Sequence, residues 1–100
     1  VEGDKKLLIK LLKTFLEDWP RLLANIRKSV IDGDAMGLRD SAHALKGVSS
    51  SIGGESTATA AFRLEDQGRN QNLETSRDDY GSLENEIHRL KEALEQYLIP

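Results

Sequence analysis

The sequence contains no cysteine, which excludes a disulfide framework and any thiolate-held metal centre and leaves a reducing compartment open. Long hydrophobic runs are also missing. The longest, Leu7-Leu8-Ile9, is three residues, far short of the roughly 20 that cross a bilayer, and no signal-peptide pattern opens the chain. No direct membrane contact is therefore expected. Positive charge is scarce as well: 14 Lys and Arg stand against 17 Asp and Glu, for a net charge of −3. Without a concentrated basic footprint, nucleic acid is not an expected partner. There is no alternating strand pattern, internal repeat or low-complexity segment, and no glycine-rich phosphate loop, so a nucleotide-binding part is not expected.

What is present is a short, helix-favouring chain. One hundred residues, 38% hydrophobic and 31% charged with only two prolines, suit one domain around one core. Residues 5–18 carry paired apolar residues at Leu7/Leu8, Leu11/Leu12 and Phe15/Leu16, one helical stripe. Pro20 suits the first turn of a second helix bearing Leu22, Leu23, Ile26, Val30 and Ile31. Gly33 suits a left-handed helix exit and Asp34 an N-cap. Gly53 and Gly54 end the next segment, Gly68 is the expected stop of an Ala-rich helix, and Ser76 or Ser82 caps a last helix with Leu83, Ile87, Leu90, Leu94 and Tyr97. Helices are thus expected over about 4–18, 20–32, 35–52, 55–67 and 77–98. With no apolar stripe left over, a monomer is expected. The opening valine and the end at Tyr-Leu-Ile-Pro point to a single domain, 1–100, belonging to a longer protein.

The stretch Asp40-Ser-Ala-His-Ala-Leu-Lys-Gly-Val-Ser-Ser-Ser-Ile-Gly-Gly54 divides by angle. Advancing about 100° per residue from His43, Leu38, Leu45, Val48 and Ile52 fall between about 140° and 220°, opposite the histidine. Arg39, Lys46, Gly47 and Ser50 fall within about 60° of it. A lone outward histidine is ordinarily a solvated surface group, but its neighbours argue for chemistry. Gly47 costs the helix roughly 1 kcal/mol relative to alanine on a face its own core does not use, which suits close approach by something external. Lys46, one turn away, would favour an anionic group on His43, although it could equally be a solvated lysine. Glu65 lies about 40° from Ala61, on the apolar side of its helix. A histidine Nδ1–H would satisfy it, fixing the tautomer and leaving Nε2 as a nucleophile; the alternative is that Glu65 reaches water at the helix edge.

The pattern Ala42-His43-x-Leu45-Lys46-Gly47, followed by Ile52-Gly53 and Leu64-Glu65, with Phe-Leu-Glu-Asp-x-Pro at 15–20 and Gly33-Asp34 upstream, resembles the histidine-containing phosphotransfer (HPt) domain of phosphorelays. The resemblance covers nearly the whole chain and implies an all-α, up-down antiparallel four-helix bundle with an additional N-terminal helix. It implies phosphorylation of His43, stabilisation of the phosphoryl group by Lys46, clearance for a partner at Gly47 and an orienting role for Glu65. Similar domains often carry Ser directly after the glycine, where this chain has Val48; Ser50 and Arg39 are candidate contacts by their facing alone. The expected partners are response-regulator receiver domains, as donor and as acceptor of the phosphoryl group. No cofactor is expected on this domain, the Mg²⁺ being supplied by the receiver. The implied location is cytoplasmic and the implied parent chain a hybrid sensor histidine kinase, free or anchored in the inner membrane, with a stand-alone carrier as the alternative.

Two other readings compete with a receiver-to-receiver carrier. One is a helical adaptor that binds without phosphotransfer, which would tolerate loss of His43; the other is a chemotaxis-kinase type domain phosphorylated by an ATP-binding kinase domain. A di-iron bundle needs Glu-x-x-His on two helices, whereas Asn85 precedes His88 and Asp40 precedes His43. No metal site is expected, and His88, about 140° from Leu83, is read as solvated.

Overall fold

The computed structural model describes residues 2–99. Four helices follow one another: α1 (Glu2–Asp32), α2 (Ala35–Ser51), α3 (Glu55–Arg69) and α4 (Ser76–Leu98). Each packs on its neighbours in sequence and α4 closes against α1, giving an up-down bundle of 45 × 20 × 19 Å. Ile26, Leu38, Leu45, Leu64, Leu83 and Ile87 have essentially no exposed surface and form its centre. They recur at helical spacing, so each helix lays one stripe on the common core.

The turn between α1 and α2 follows local chemistry. Gly33 adopts φ +66°, a left-handed conformation in which a Cβ is strained. Asp34 then caps α2, its Oδ1 accepting from the Gly37 N–H at 2.9 Å.

Four expectations change. The helices expected at about 4–18 and 20–32 are a single helix with Pro20 inside it, so among the described residues there is no additional N-terminal helix. Pro20 lacks the N–H that would bond the Leu16 carbonyl, a loss of roughly 3 kcal/mol in a helix interior. It sits on the exposed side, however, while Leu12 and Phe15 before it and Leu22, Leu23 and Ile26 after it are buried. Burial of each such side chain contributes about 1.5–3 kcal/mol, so the continuous stripe outweighs the missing bond.

Gly68 does not stop α3, which runs to Arg69. A Cβ on Gly68 would lie 2.5 Å from the Ala35 carbonyl oxygen and 2.6 Å from the Arg39 nitrogen; the glycine lets two backbones meet. Neither Ser76 nor Ser82 caps α4. Ser76 is its first residue and is buried, and Thr75 holds the cap position with its Oγ1 donating to Asp79 Oδ2 at 2.9 Å.

Several residues assigned to apolar stripes are open: Leu7, Leu8, Leu11, Ile31, Val48 and Tyr97 are all exposed. Val48 lies at the edge of the α1–α2 seam, lining a small cleft of about 70 Å³ with Leu11, Phe15, Leu22 and Ile52. The bundle therefore does leave apolar surface, contrary to the premise for a monomer. His88 is exposed, as expected, with its ring edge-on to Trp19 at 5.3 Å. Among the described residues, no helix is long and apolar enough to cross a membrane.

Candidate functional site

His43 projects from the middle of α2, on the side away from the core stripe of Leu38, Ala42 and Leu45. Its side chain is 67% exposed. Glu65 projects from α3 at the edge of its buried face, flanked by Leu64 and Gly68, and its side chain is only 3% exposed. Seam meets seam here. His43 Nδ1 lies 3.0 Å from Glu65 Oε2. An ionised carboxylate only accepts hydrogen bonds, so Nδ1 is the donor and carries the proton. In the neutral ring the lone pair then sits on the other nitrogen, Nε2.

Two cations complete the cluster. Lys46, one turn after His43, places Nζ 2.7 Å from Glu65 Oε1 and 5.1 Å from the Phe62 ring centroid. It forms a close ion pair with Oε1. Arg69 donates from Nη2 to Glu65 Oε2 at 2.8 Å and places Nη1 3.5 Å from Asp66. Glu65 thus receives three groups on two oxygens. Burial pushes its carboxyl pKa up, but the contacts from Lys46 and His43 outweigh burial and hold it below the ordinary glutamate value. Glu65 is an anion at neutral pH.

Gly47 is exposed one turn after His43 on the same face, and a Cβ built there would meet nothing within 4 Å. The protein's own packing does not call for glycine. Phe62, 45% exposed beside Lys46, adds an apolar element to this surface.

Of the residues singled out from the sequence, His43, Lys46 and Glu65 are brought into one cluster and Gly47 lies open beside it. Arg39 and Ser50 are not part of it. Arg39 directs Nε to Asp40 Oδ1 at 3.1 Å, and among the described residues neither it nor the exposed Ser50 shares a hydrogen bond with His43. Val48 is apolar and offers no polar contact. Arg69 was not anticipated. The signal was its place four residues after Glu65, where an acid and a base on a helix meet. No group of three or more His, Cys, Asp or Glu placed to hold a metal ion occurs among the described residues.

This arrangement has a nucleophilic nitrogen on a rigid helix, a buried anion that orients the ring, and a cation within a turn of it. Residues 10–95 match the family model described as Hpt domain. The structure is similar to the crystal structure of histidine-containing phosphotransfer protein B from Pseudomonas aeruginosa PAO1, with a TM-score of 0.85 and 29% sequence identity over 89% of this chain and 77% of that one. No curated protein sequence matches the chain.

Proposed function

Because the chain belongs to the Hpt domain family, and so is a histidine phosphotransfer carrier of two-component phosphorelays that works with receiver domains, we propose that His43 is its phosphorylated residue and Nε2 the atom that carries the group. The observation that supports this most directly is the 3.0 Å contact of His43 Nδ1 with the buried Glu65, which occupies Nδ1 and leaves Nε2 as the ring nitrogen open to a partner.

In the proposed step the Nε2 lone pair attacks the phosphorus of a receiver aspartyl phosphate. The Nε2–P bond forms as the bond from phosphorus to the aspartate oxygen breaks, and the aspartate leaves with that electron pair as a carboxylate. The ring keeps its Nδ1 proton and becomes positively charged, a charge that Glu65 faces directly. Lys46 neutralises the incoming phosphoryl oxygens, and the receiver supplies Mg²⁺ and in-line positioning. Transfer to a second receiver reverses these bond changes, so one receiver is donor and another acceptor. Gly47 leaves room for the receiver's own active-site backbone. All the cluster's side chains come from α2 and α3 of one chain, so a single copy suffices and the unit is proposed to act as a monomer, on the cytoplasmic side where such relays run.

The test is to mix the chain with a cognate receiver phosphorylated at its aspartate, in Mg²⁺, and to look for acid-labile, base-stable label on the carrier. His43→Gln should take no label while keeping wild-type helicity by circular dichroism. Label retained on that variant would overturn the assignment, and binding without any transfer by the wild type would favour an adaptor.

A further inference from the structure

Lys46 is not waiting free for a phosphoryl group. It is 2.7 Å from Glu65 and only 29% exposed, so serving the phosphoryl group means leaving a buried carboxylate. A buried carboxylate stripped of a counter-charge is costly, and that cost opposes the release. The cluster contains a second cation that removes the difficulty.

Arg69 reaches Glu65 from behind. It sits four residues later on the same helix, its Nη2 donates at 2.8 Å to Oε2, and it shares that oxygen with His43 Nδ1 while Lys46 takes Oε1. The two cations are therefore placed differently. Lys46 is on α2, one turn from His43, with its Nζ 2.7 Å from Glu65 Oε1. Arg69 is tied to α3, is held a second time by Asp66 at 3.5 Å, and lies within its own helix's reach of Glu65 regardless of what binds His43.

We propose that Arg69 is a positioning residue for phosphotransfer: it keeps Glu65 compensated and aimed at His43 Nδ1, so that Lys46 is free to move from Glu65 to the phosphoryl group. The charge count supports the exchange. With His43 neutral, Glu65 faces two cations, one of them shared with Asp66. Once Nε2 is phosphorylated the ring gains one positive charge and the phosphoryl group brings between one and two negative ones. Lys46 then has a larger anion in reach, and Glu65 retains both the charged ring and Arg69. Without Arg69, Lys46 stays bound to Glu65.

This inference rests on His43 being the phosphorylated residue, and the experiment separates the two. Phosphohistidine formation from a phosphorylated receiver and the half-life of the label would be measured for wild type, Arg69→Ala, Arg69→Lys, Glu65→Gln and Arg69→Ala/Glu65→Gln. Loss of label in the wild type would sink the carrier reading itself. Given a labelled wild type, Arg69→Ala should slow transfer or shorten the half-life roughly tenfold, the scale of one hydrogen bond to a charged group. Arg69→Lys should recover most of it. The double variant should be no worse than Glu65→Gln alone, because Arg69 acts through Glu65; a structural role at the end of α3 would instead give additive losses. Wild-type behaviour of Arg69→Ala, or additivity in the double variant, would overturn the proposal.

Discussion

Replacing Gly47 with alanine should make the domain more stable and a poorer carrier, two opposite effects from one methyl group. Gly47 lies inside α2, is exposed, and has nothing within 4 Å of where a Cβ would stand. The methyl therefore meets no strain and removes a helix-interior glycine, which is worth about 1 kcal/mol. In a domain of this size that raises Tm by about 4–8 °C. The same methyl projects on the His43 face, where a receiver must bring its phosphorylated aspartate to Nε2. Overfilling a close contact costs about 1–3 kcal/mol, so receiver-dependent transfer should slow roughly 5- to 150-fold. Thermal unfolding followed by circular dichroism gives the first quantity and rapid-quench transfer from a phosphorylated receiver the second. Phosphorylation by a small donor such as phosphoramidate, which needs no docking, should change less than about twofold, separating approach from chemistry. If Gly47→Ala lowers Tm, the helix-interior reasoning fails. If it transfers at the wild-type rate, the glycine is not a clearance for the partner.

Three further outcomes follow from the packing and the charges. Glu65 has a folded-state pKa below its unfolded value of about 4.5, so its ionised contacts stabilise the fold fully above that pH and are lost as pH falls below it toward the folded value. The stability gap between wild type and Glu65→Gln, measured by urea unfolding, should therefore be present at pH 7 and shrink toward pH 3; a constant gap would refute this. Gly68→Ala puts a methyl against two backbone atoms of α2 and should cost about 1–3 kcal/mol, read as a lower urea midpoint, with an unchanged midpoint counting against the close approach. Pro20→Ala restores the N–H facing the Leu16 carbonyl at an exposed position; a gain of roughly 3 kcal/mol in the helix less about 0.4–1 from a freer unfolded chain leaves about 2 kcal/mol of stabilisation, and a loss of stability would mean the proline is held by contacts of its own.

The outward side of α2 was legible because a 100° advance per residue needs no knowledge of partners. It separated His43, Lys46 and Gly47 from Leu38 and Leu45 correctly. It put Val48 on the core side and failed there, because α1 passes the seam without covering that edge, and coverage is a property of the neighbour. Pro20 misled for the complementary reason. Its local preference for a helix start is real, but the burial of Phe15 and Leu22 on either side outweighs it. At Gly68 the local signal, a stop, was overridden by a tertiary one, a close approach whose other half lies some thirty residues earlier at Ala35 and Arg39.

That close approach also explains how an outward histidine meets an inward-leaning glutamate. His43 faces away from the core of α2, and Glu65 leans toward the core of α3, so the pair bonds across the seam where the two helices come close. Gly68 lies one turn beyond Glu65 on α3, and its missing side chain lets α3 settle onto the Ala35–Arg39 backbone, one turn before His43 on α2. The seam is thereby closed at the level of the site, and Glu65 at its rim spans to Nδ1 at 3.0 Å while remaining 3% exposed. Burial by itself would raise the pKa of a carboxylate so deeply placed. Lys46 on Oε1 and His43 on Oε2 hold it charged against its burial, Arg69 adds a second donor to Oε2, and the charged Glu65 is the acceptor that fixes the ring by its Nδ1–H. The helix contact that looked like a stop signal is thus the geometric condition for the nucleophile.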